Sequence, residues 1–254
     1  IIPAPPNAWS RIYAGWEESF SVEYSDTVDL PSRSMNQILK ASINDKEYFL
    51  IENRNNKVNG KFSLDSIRVL MSAGNEYPPY VNILIDSIGV IKDSNGVIIS
   101  VPNYDIGLPA SGLLIWHINE EIILSNIDNY SINKDLSNLG IDLEEADGAQ
   151  DIGFESIFVF NDISSGYFGD LWFKGNTQYE LANFEMEGIK PKFNHSTIPS
   201  TASSDGSQSF ISIENISAAK DTMDFIIANF LVQNNFPDEN AHILNVYDLN
   251  GDGS

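Results

Sequence analysis

The sequence contains no cysteine at all, which excludes disulfides and thiolate metal sites. Basic residues are scarce: 14 Lys and Arg stand against 36 Asp and Glu, a formal net charge of −22. Phosphate backbones and anionic bilayer surfaces both require Lys and Arg, so neither nucleic acid nor a membrane is an expected partner. Long hydrophobic runs are missing too. The longest, near Leu113–Trp116 and Phe225–Ala228, are far too short to span a bilayer, and the piece reads as soluble. Histidine occurs three times, at His117, His195 and His242. No two lie at zinc-ligand spacing, and a His-Glu-x-x-His motif occurs nowhere. Ile1 is preceded by neither an initiator Met nor a signal-peptide pattern, and Asp248 to Ser254 stops inside a motif, so both ends read as cut.

What is present is enough to fold. At 254 residues the chain can bury one large core or one core plus appendages. An aromatic content of 11% together with abundant Ile sets it apart from a disordered acidic tail. An acidic surface suits extracellular calcium, high salt or plain solubility.

Near the start, prolines extend residues 3–6, and Asn7 is a plausible N-cap. Trp9, Ile12, Tyr13 and Trp16 follow at i, i+3, i+4 and i+7. This is one apolar helical face, expected to dock onto whatever lies ahead of residue 1. From Phe20 the period changes to two, with Phe20, Val22 and Tyr24 alternating with polar neighbours. Ile38–Ile43 and Glu47–Ile51 flank Asn44-Asp45-Lys46, a hairpin pattern. Further strands are expected at 81–85, 96–101, 113–116, 156–160, 210–213 and 223–228. Arg54 beside Glu52 reads by default as a surface pair contributing less than about 1 kcal/mol, the alternative being an inward ion pair. Many short strands separated by Gly, Asn, Asp and Ser turns, with few helical stretches and no internal repeat, predict a mainly β fold. The expected form is a β-sandwich-like domain with a short N-terminal helix. Residues 230–245 read as a linker.

Two acidic patterns carry the metal candidates. Asp248, Asn250, Asp252 and Ser254, with Gly253 at the sharp turn, match the first half of an EF-hand calcium loop. The bidentate acid such a loop needs at its twelfth position falls beyond Ser254, which leaves a half-set of ligands or a frayed polar tail. The second pattern, Asp142, Glu144, Glu145, Asp147 and Asp151, has no Lys or Arg within it. Clustered carboxylates repel unless a cation or hydrogen-bond donors neutralise them. The block is thus a calcium candidate, joined by Asp170 from the next loop, or else a solvated acidic loop.

Other constellations are weaker. His117 follows a buried strand and reads as a hydrogen-bonded core histidine. Ser111, His117 and Asp105 make a triad only on paper, without a nucleophile elbow. Glu120 and Glu144 form an equally unconstrained carboxylate pair. Tyr167, Phe168, Trp172 and Phe173, in a Gly-rich loop, either stack on sugar or peptide or pack into the core.

Several segments together carry a resemblance. They are Asn7-Ala-Trp-Ser-Arg11 with Gly15-Trp16, Tyr48-Phe-Leu-Ile-Glu-Asn-Arg54, and the run from Asn103 through Leu108-Pro-Ala-Ser-Gly-Leu-Leu-Ile-Trp-His117. Gly140-Ile-Asp-Leu-Glu-Glu-Ala-Asp-Gly148, Ser203-Ser-Asp-Gly-Ser207 and Ile211–Ser217 complete the set. Together they resemble the region that follows the zinc motif in secreted bacterial metalloproteases of the immune inhibitor A type, over roughly Asn7 to Ala228 with gaps. Leu244-Asn-Val-Tyr-Asp-Leu-Asn-Gly-Asp-Gly253 is similar to the opening of a dockerin repeat.

The resemblance implies four segments. Residues 1–18 would be the tail of the catalytic domain, 19–229 a β-rich accessory domain, 230–245 a linker and 246–254 a truncated dockerin-like calcium loop. It also implies a secreted parent protease that cleaves protein substrates with a zinc ion held in an upstream domain of the same chain. The present region would be non-catalytic, supporting that lobe or substrate binding, with residues 3–7 nearest the active site. The other expectation is a calcium-stabilised β-sandwich that binds carbohydrate or protein.

Overall fold

A computed structural model describes residues 5–22, 26–57, 91–101, 103–154, 164, 166–186, 188 and 190–229. The expected strands at 81–85 and 156–160, the linker at 230–245 and the calcium half-loop at 246–254 lie outside the described residues. So does Tyr24.

The fold is mainly β. Strand β1 (Ser19–Phe20) runs parallel to β3 (Ile38–Ser42), and β3 pairs antiparallel with β4 (Glu47–Arg54). The Asn44–Lys46 hairpin forms as expected: the Ile43 and Asn44 amides donate to Glu47 O, and the Lys46 amide donates to Asn44 Oδ1. Two further strands, β7 (Gly112–Asn119) and β8 (Ile141–Leu143), complete a five-stranded sheet ordered β1-β3-β4-β7-β8. A second sheet, ordered β2-β10-β9, is built from β2 (Asp26–Pro31), β9 (Ile211–Glu214) and β10 (Thr222–Asn229). A separate hairpin joins β5 (Ile91–Lys92) to β6 (Ile98–Ser100).

Strand β4 organises the interior. All eight of its residues are buried, so its alternating side chains serve two different layers. Phe49 and Ile51 enter the core shared by the two sheets, with Leu113 and Ile115 from β7 and Val28, Leu30, Ile213, Met223, Phe225 and Ile227 from the smaller sheet. Tyr48 and Leu50 point the other way, into a cluster with Ile38, Ile118 and the helices α1 (Ala8–Tyr13) and α2 (Glu120–Asn126). The larger sheet is thus covered on one face by the second sheet and on the other by helices.

Helix α1 begins where the sequence places it, with Asn7 Oδ1 accepting from the Ser10 amide at 2.8 Å. Its docking corrects the expectation. Ala8 and Trp9 are buried against this chain's own sheet, beside Tyr48 and Leu50, rather than kept for a missing lobe. The helix also stops earlier than its apolar period suggests. Gly15 adopts φ +70°, its amide bonds to Ile12 O, and the Trp16 amide bonds to Arg11 O. That is a Schellman ending, which redirects the chain toward β1. Trp16 therefore leaves the helical face and is 61% exposed.

Candidate functional site

Under helix α1 lies a buried ion network. Glu52 Oε2 accepts from Arg11 Nη2 at 2.7 Å and from Arg54 Nη1 at 3.0 Å, while its Oε1 accepts from Trp116 Nε1 at 2.9 Å. Arg54 Nε reaches Asp105 Oδ1 at 2.8 Å, and Arg11 Nε reaches Glu17 at 2.9 Å. The Glu52–Arg54 pair is therefore inward, not a surface contact. The reason is positional: residues 52 and 54 share the face of β4 that α1 covers. Burial pushes the Glu52 carboxyl up, but Arg54 and Arg11 outweigh it and hold the group below the ordinary carboxylate range. At Asp105 burial wins over Arg54, and its pKa is raised. The remaining guanidinium donors hold backbone upstream: Arg11 Nη1 bonds to Pro6 O at 2.6 Å and Arg54 Nη2 to Pro5 O at 3.3 Å. A cavity of about 260 Å³ opens beside the network, lined in part by Pro5, Arg33, Met35 and Tyr104.

On the opposite face of the sheet His117 sits between two glutamates. Its Nε2 lies 2.8 Å from Glu47 Oε1 and its Nδ1 lies 3.0 Å from Glu144 Oε1. Burial alone would lower its pKa, but hydrogen bonds to Glu144 and Glu47 prevail and raise it to about 9. Glu47 also accepts from the amide and hydroxyl of Ser204, and its pKa is lowered in spite of burial. Asp142 is the third acid near the imidazole, pushed up to about 6 by burial and by Glu144.

A raised histidine pKa stabilises the fold fully below the unfolded value of about 6.5 and ceases to do so above the folded value. Wild-type protein is therefore expected to lose about 3 kcal/mol of His117-linked stability between pH 6.5 and pH 9.5. Urea unfolding of wild type and His117→Gln across that range measures it. Parallel profiles for the two proteins would contradict the imidazolium assignment.

This geometry dismantles the paper triad. His117 is committed to Glu47 and Glu144, Asp105 to Arg54, and the Ser111 hydroxyl to Asn55 and Asn56. Glu120 accepts from Trp9 Nε1 and Tyr48 on the helix-covered face, whereas Glu144 meets His117 on the inter-sheet face, so they do not pair as glycosidase carboxylates. Nor do the histidines fit a catalytic zinc. Both nitrogens of His117 are engaged, His195 is an exposed loop residue, and His242 lies outside the described residues.

The acidic block divides. Asp142 and Glu144 belong to the His117 side, with Gln150 Nε2 also donating to Glu144 at 2.8 Å. Glu145 and Asp147 turn away and meet Asp170. One carboxylate oxygen from each of these three lies within 4.8 Å of the others. Glu145 accepts from the amides of Asp151 and Ile152, and Asp147 from the Tyr167 hydroxyl and the Ala149 amide. Asp170 is buried; its Oδ2 accepts from the Tyr167 amide, and its Oδ1 has no hydrogen-bond partner. Burial, reinforced by Asp147, Glu145 and Asp151, pushes Asp170 up to about 7, and burial likewise raises Glu145. Asp151 contributes its amide to Glu145 and its charge to the raised pKa values of Glu145 and Asp170. The four aromatics of the neighbouring loop present no exposed platform. Trp172 is fully buried, with its indole N–H on Glu144 O at 2.7 Å, and Tyr167, Phe168 and Phe173 are all partly buried.

Among the described residues, no helix is long and apolar enough to cross a membrane. Compared with family models, curated proteins and solved structures, the chain finds no match in any of the three.

Proposed function

We propose that this chain is a non-catalytic, β-rich region of a secreted zinc metalloendopeptidase, and that it orients the lobe that precedes it. The observation that supports this reading most is the grip of two buried arginines on the carbonyls of Pro5 and Pro6. Arg11 and Arg54 are themselves fixed by Glu52, Glu17 and Asp105. Any polypeptide ahead of Pro5 therefore leaves the sheet from a rigid point. A catalytic lobe needs such anchoring, because small displacements of reacting groups lower rates steeply. The family resemblance of the segments that build this grip, Asn7–Arg11 and Tyr48–Arg54, agrees with it. When bound in the parent, zinc would activate a water for attack on the peptide carbonyl, and this chain's residues would take no part in holding it.

Gelatin hydrolysis tests the reading. The 254-residue chain with added zinc is expected to leave gelatin intact, whereas a longer product of the same gene cleaves it in a chelator-sensitive manner. Zinc-dependent cleavage by the 254-residue chain itself, or a longer product with no His-Glu-x-x-His motif, would overturn the proposal.

A further inference from the structure

We infer that Glu145, Asp147 and Asp170 form a calcium site that clamps the acidic block onto the aromatic loop. The site goes beyond the proposed scaffold role and stands whether or not the parent is a peptidase.

Three observations converge on it. The first is spacing. Calcium–oxygen bonds are about 2.4 Å, so oxygens on opposite sides of one ion stand about 4.8 Å apart. The three carboxylate oxygens here lie within 4.8 Å of one another, inside that sphere.

The second is the state of Asp170. Its residue is 2% exposed and its Oδ1 has no donor, although Oδ2 receives the Tyr167 amide. A buried carboxylate oxygen without a partner is strongly disfavoured, and a cation is the simplest group that satisfies it.

The third is charge. None of the three carboxylates forms an ion pair with Lys, Arg or His among the described residues, while other buried acids such as Glu52 and Glu144 do. Oxygen-only ligands select a hard cation over zinc. Water can complete the coordination, since three carboxylates leave part of a six- to eight-oxygen shell open.

The two loops that supply the ligands are already pinned together. The Ala146 amide bonds to Asp170 O at 3.0 Å, and Trp172 Nε1 bonds to Glu144 O at 2.7 Å. Sharing an ion between Glu145 and Asp147 on one loop and Asp170 on the other closes this junction at its outer end. Trp172, two residues beyond Asp170, is part of the main core, so the clamp acts directly on global stability.

The full 254-residue chain, stripped with chelator and dialysed, is titrated with calcium chloride and followed by calorimetry and thermal unfolding. One strong site is expected at Glu145, Asp147 and Asp170. Calcium at 100-fold above its dissociation constant should raise Tm by roughly 5–10 °C. Terbium, a calcium surrogate, should show tyrosine-sensitised emission through Tyr167 that calcium displaces.

Asp170→Asn should abolish the thermal shift and the terbium signal. In metal-free buffer it should melt no lower than metal-free wild type, because one repelling charge is gone. Asp248→Asn with Asp252→Asn, which alters the C-terminal half-loop, should leave both responses in place. The inference fails if wild-type Tm ignores calcium and chelator alike, the result expected if a proton alone neutralises the cluster. It also fails if Asp170→Asn keeps the full response, or if the C-terminal double variant removes it.

Discussion

Glu52→Ala is expected to destabilise the protein by about 3–5 kcal/mol, the range for removing one partner of a buried ion pair. The size follows from what remains. Arg11 and Arg54 each lose their contact to Glu52 Oε2, and Trp116 loses the acceptor for its indole N–H. Glu17 and Asp105 stay in place, but each is bonded to only one of the two guanidinium groups. Two cations are then left under helix α1 with a single shared counter-charge removed. The loss also frees the donors that hold Pro5 and Pro6, so the N-terminal segment should become more susceptible to limited proteolysis. Urea denaturation gives the number as a shift in midpoint at constant slope. Glu121→Gln is the matched control: its pair with Lys46 leaves both side chains more than 60% exposed, and such pairs contribute less than about 1 kcal/mol. Equal effects for the two variants would refute the buried network as a source of stability.

Trp172→Ala is expected to reduce stability by a similar amount, about 3–5 kcal/mol, for a different reason. Its ring is completely buried and packs against Tyr179 and Phe193, with centroids 5.5 and 5.1 Å away. Truncation opens a cavity where the end of the aromatic loop meets the inter-sheet core. It also leaves Glu144 O without its 2.7 Å donor inside the protein, a further penalty of about 1–3 kcal/mol if water cannot enter. Trp172→Phe separates the two contributions, since it restores most of the ring volume and none of the hydrogen bond. For a chain of this size the alanine variant should melt roughly 10 °C below wild type. Scanning calorimetry showing a fall of only one or two degrees would mean that the core closes over the gap.

Part of this architecture is readable from local pattern. The hairpin at Asn44–Lys46, the N-cap at Asn7, and strands at Glu47–Ile51, Leu113–Trp116 and Met223–Ala228 all follow from apolar pattern and turn chemistry, although the first strand runs on to Arg54. Helix α2 was not expected, although the sequence held its signal: Asn119 caps it by accepting from the Glu121 and Ile122 amides, and Glu120 and Glu121 open its first turn. Strand β2 carries a period-two pattern in Val28 and Leu30. The depth of Glu52 and Arg54 was not legible. Their counter-charges come from Arg11, 41 positions earlier, and Asp105, 51 positions later than Arg54, and no periodicity reports a partner at that range. The acidic block shows the same limit. Its composition marks a cation candidate, and Asp170 stands out as a neighbour. But β8 sends Asp142 and Glu144 toward His117, while the turn at Gly148 (φ +75°) accompanies the diversion of Glu145 and Asp147 to Asp170.

The unlike chemistry on the two sides of β4 has a consequence for how the chain finds its pairing. A slip of one residue against β3 or β7 would swap every side chain to the opposite layer. Glu52 and Arg54 would then enter the oily space between the sheets, and Phe49 and Ile51 would face Arg11. Both halves of that exchange are unfavourable at once, so misaligned versions of the sheet are discriminated against far more sharply than in a strand with hydrocarbon on either side.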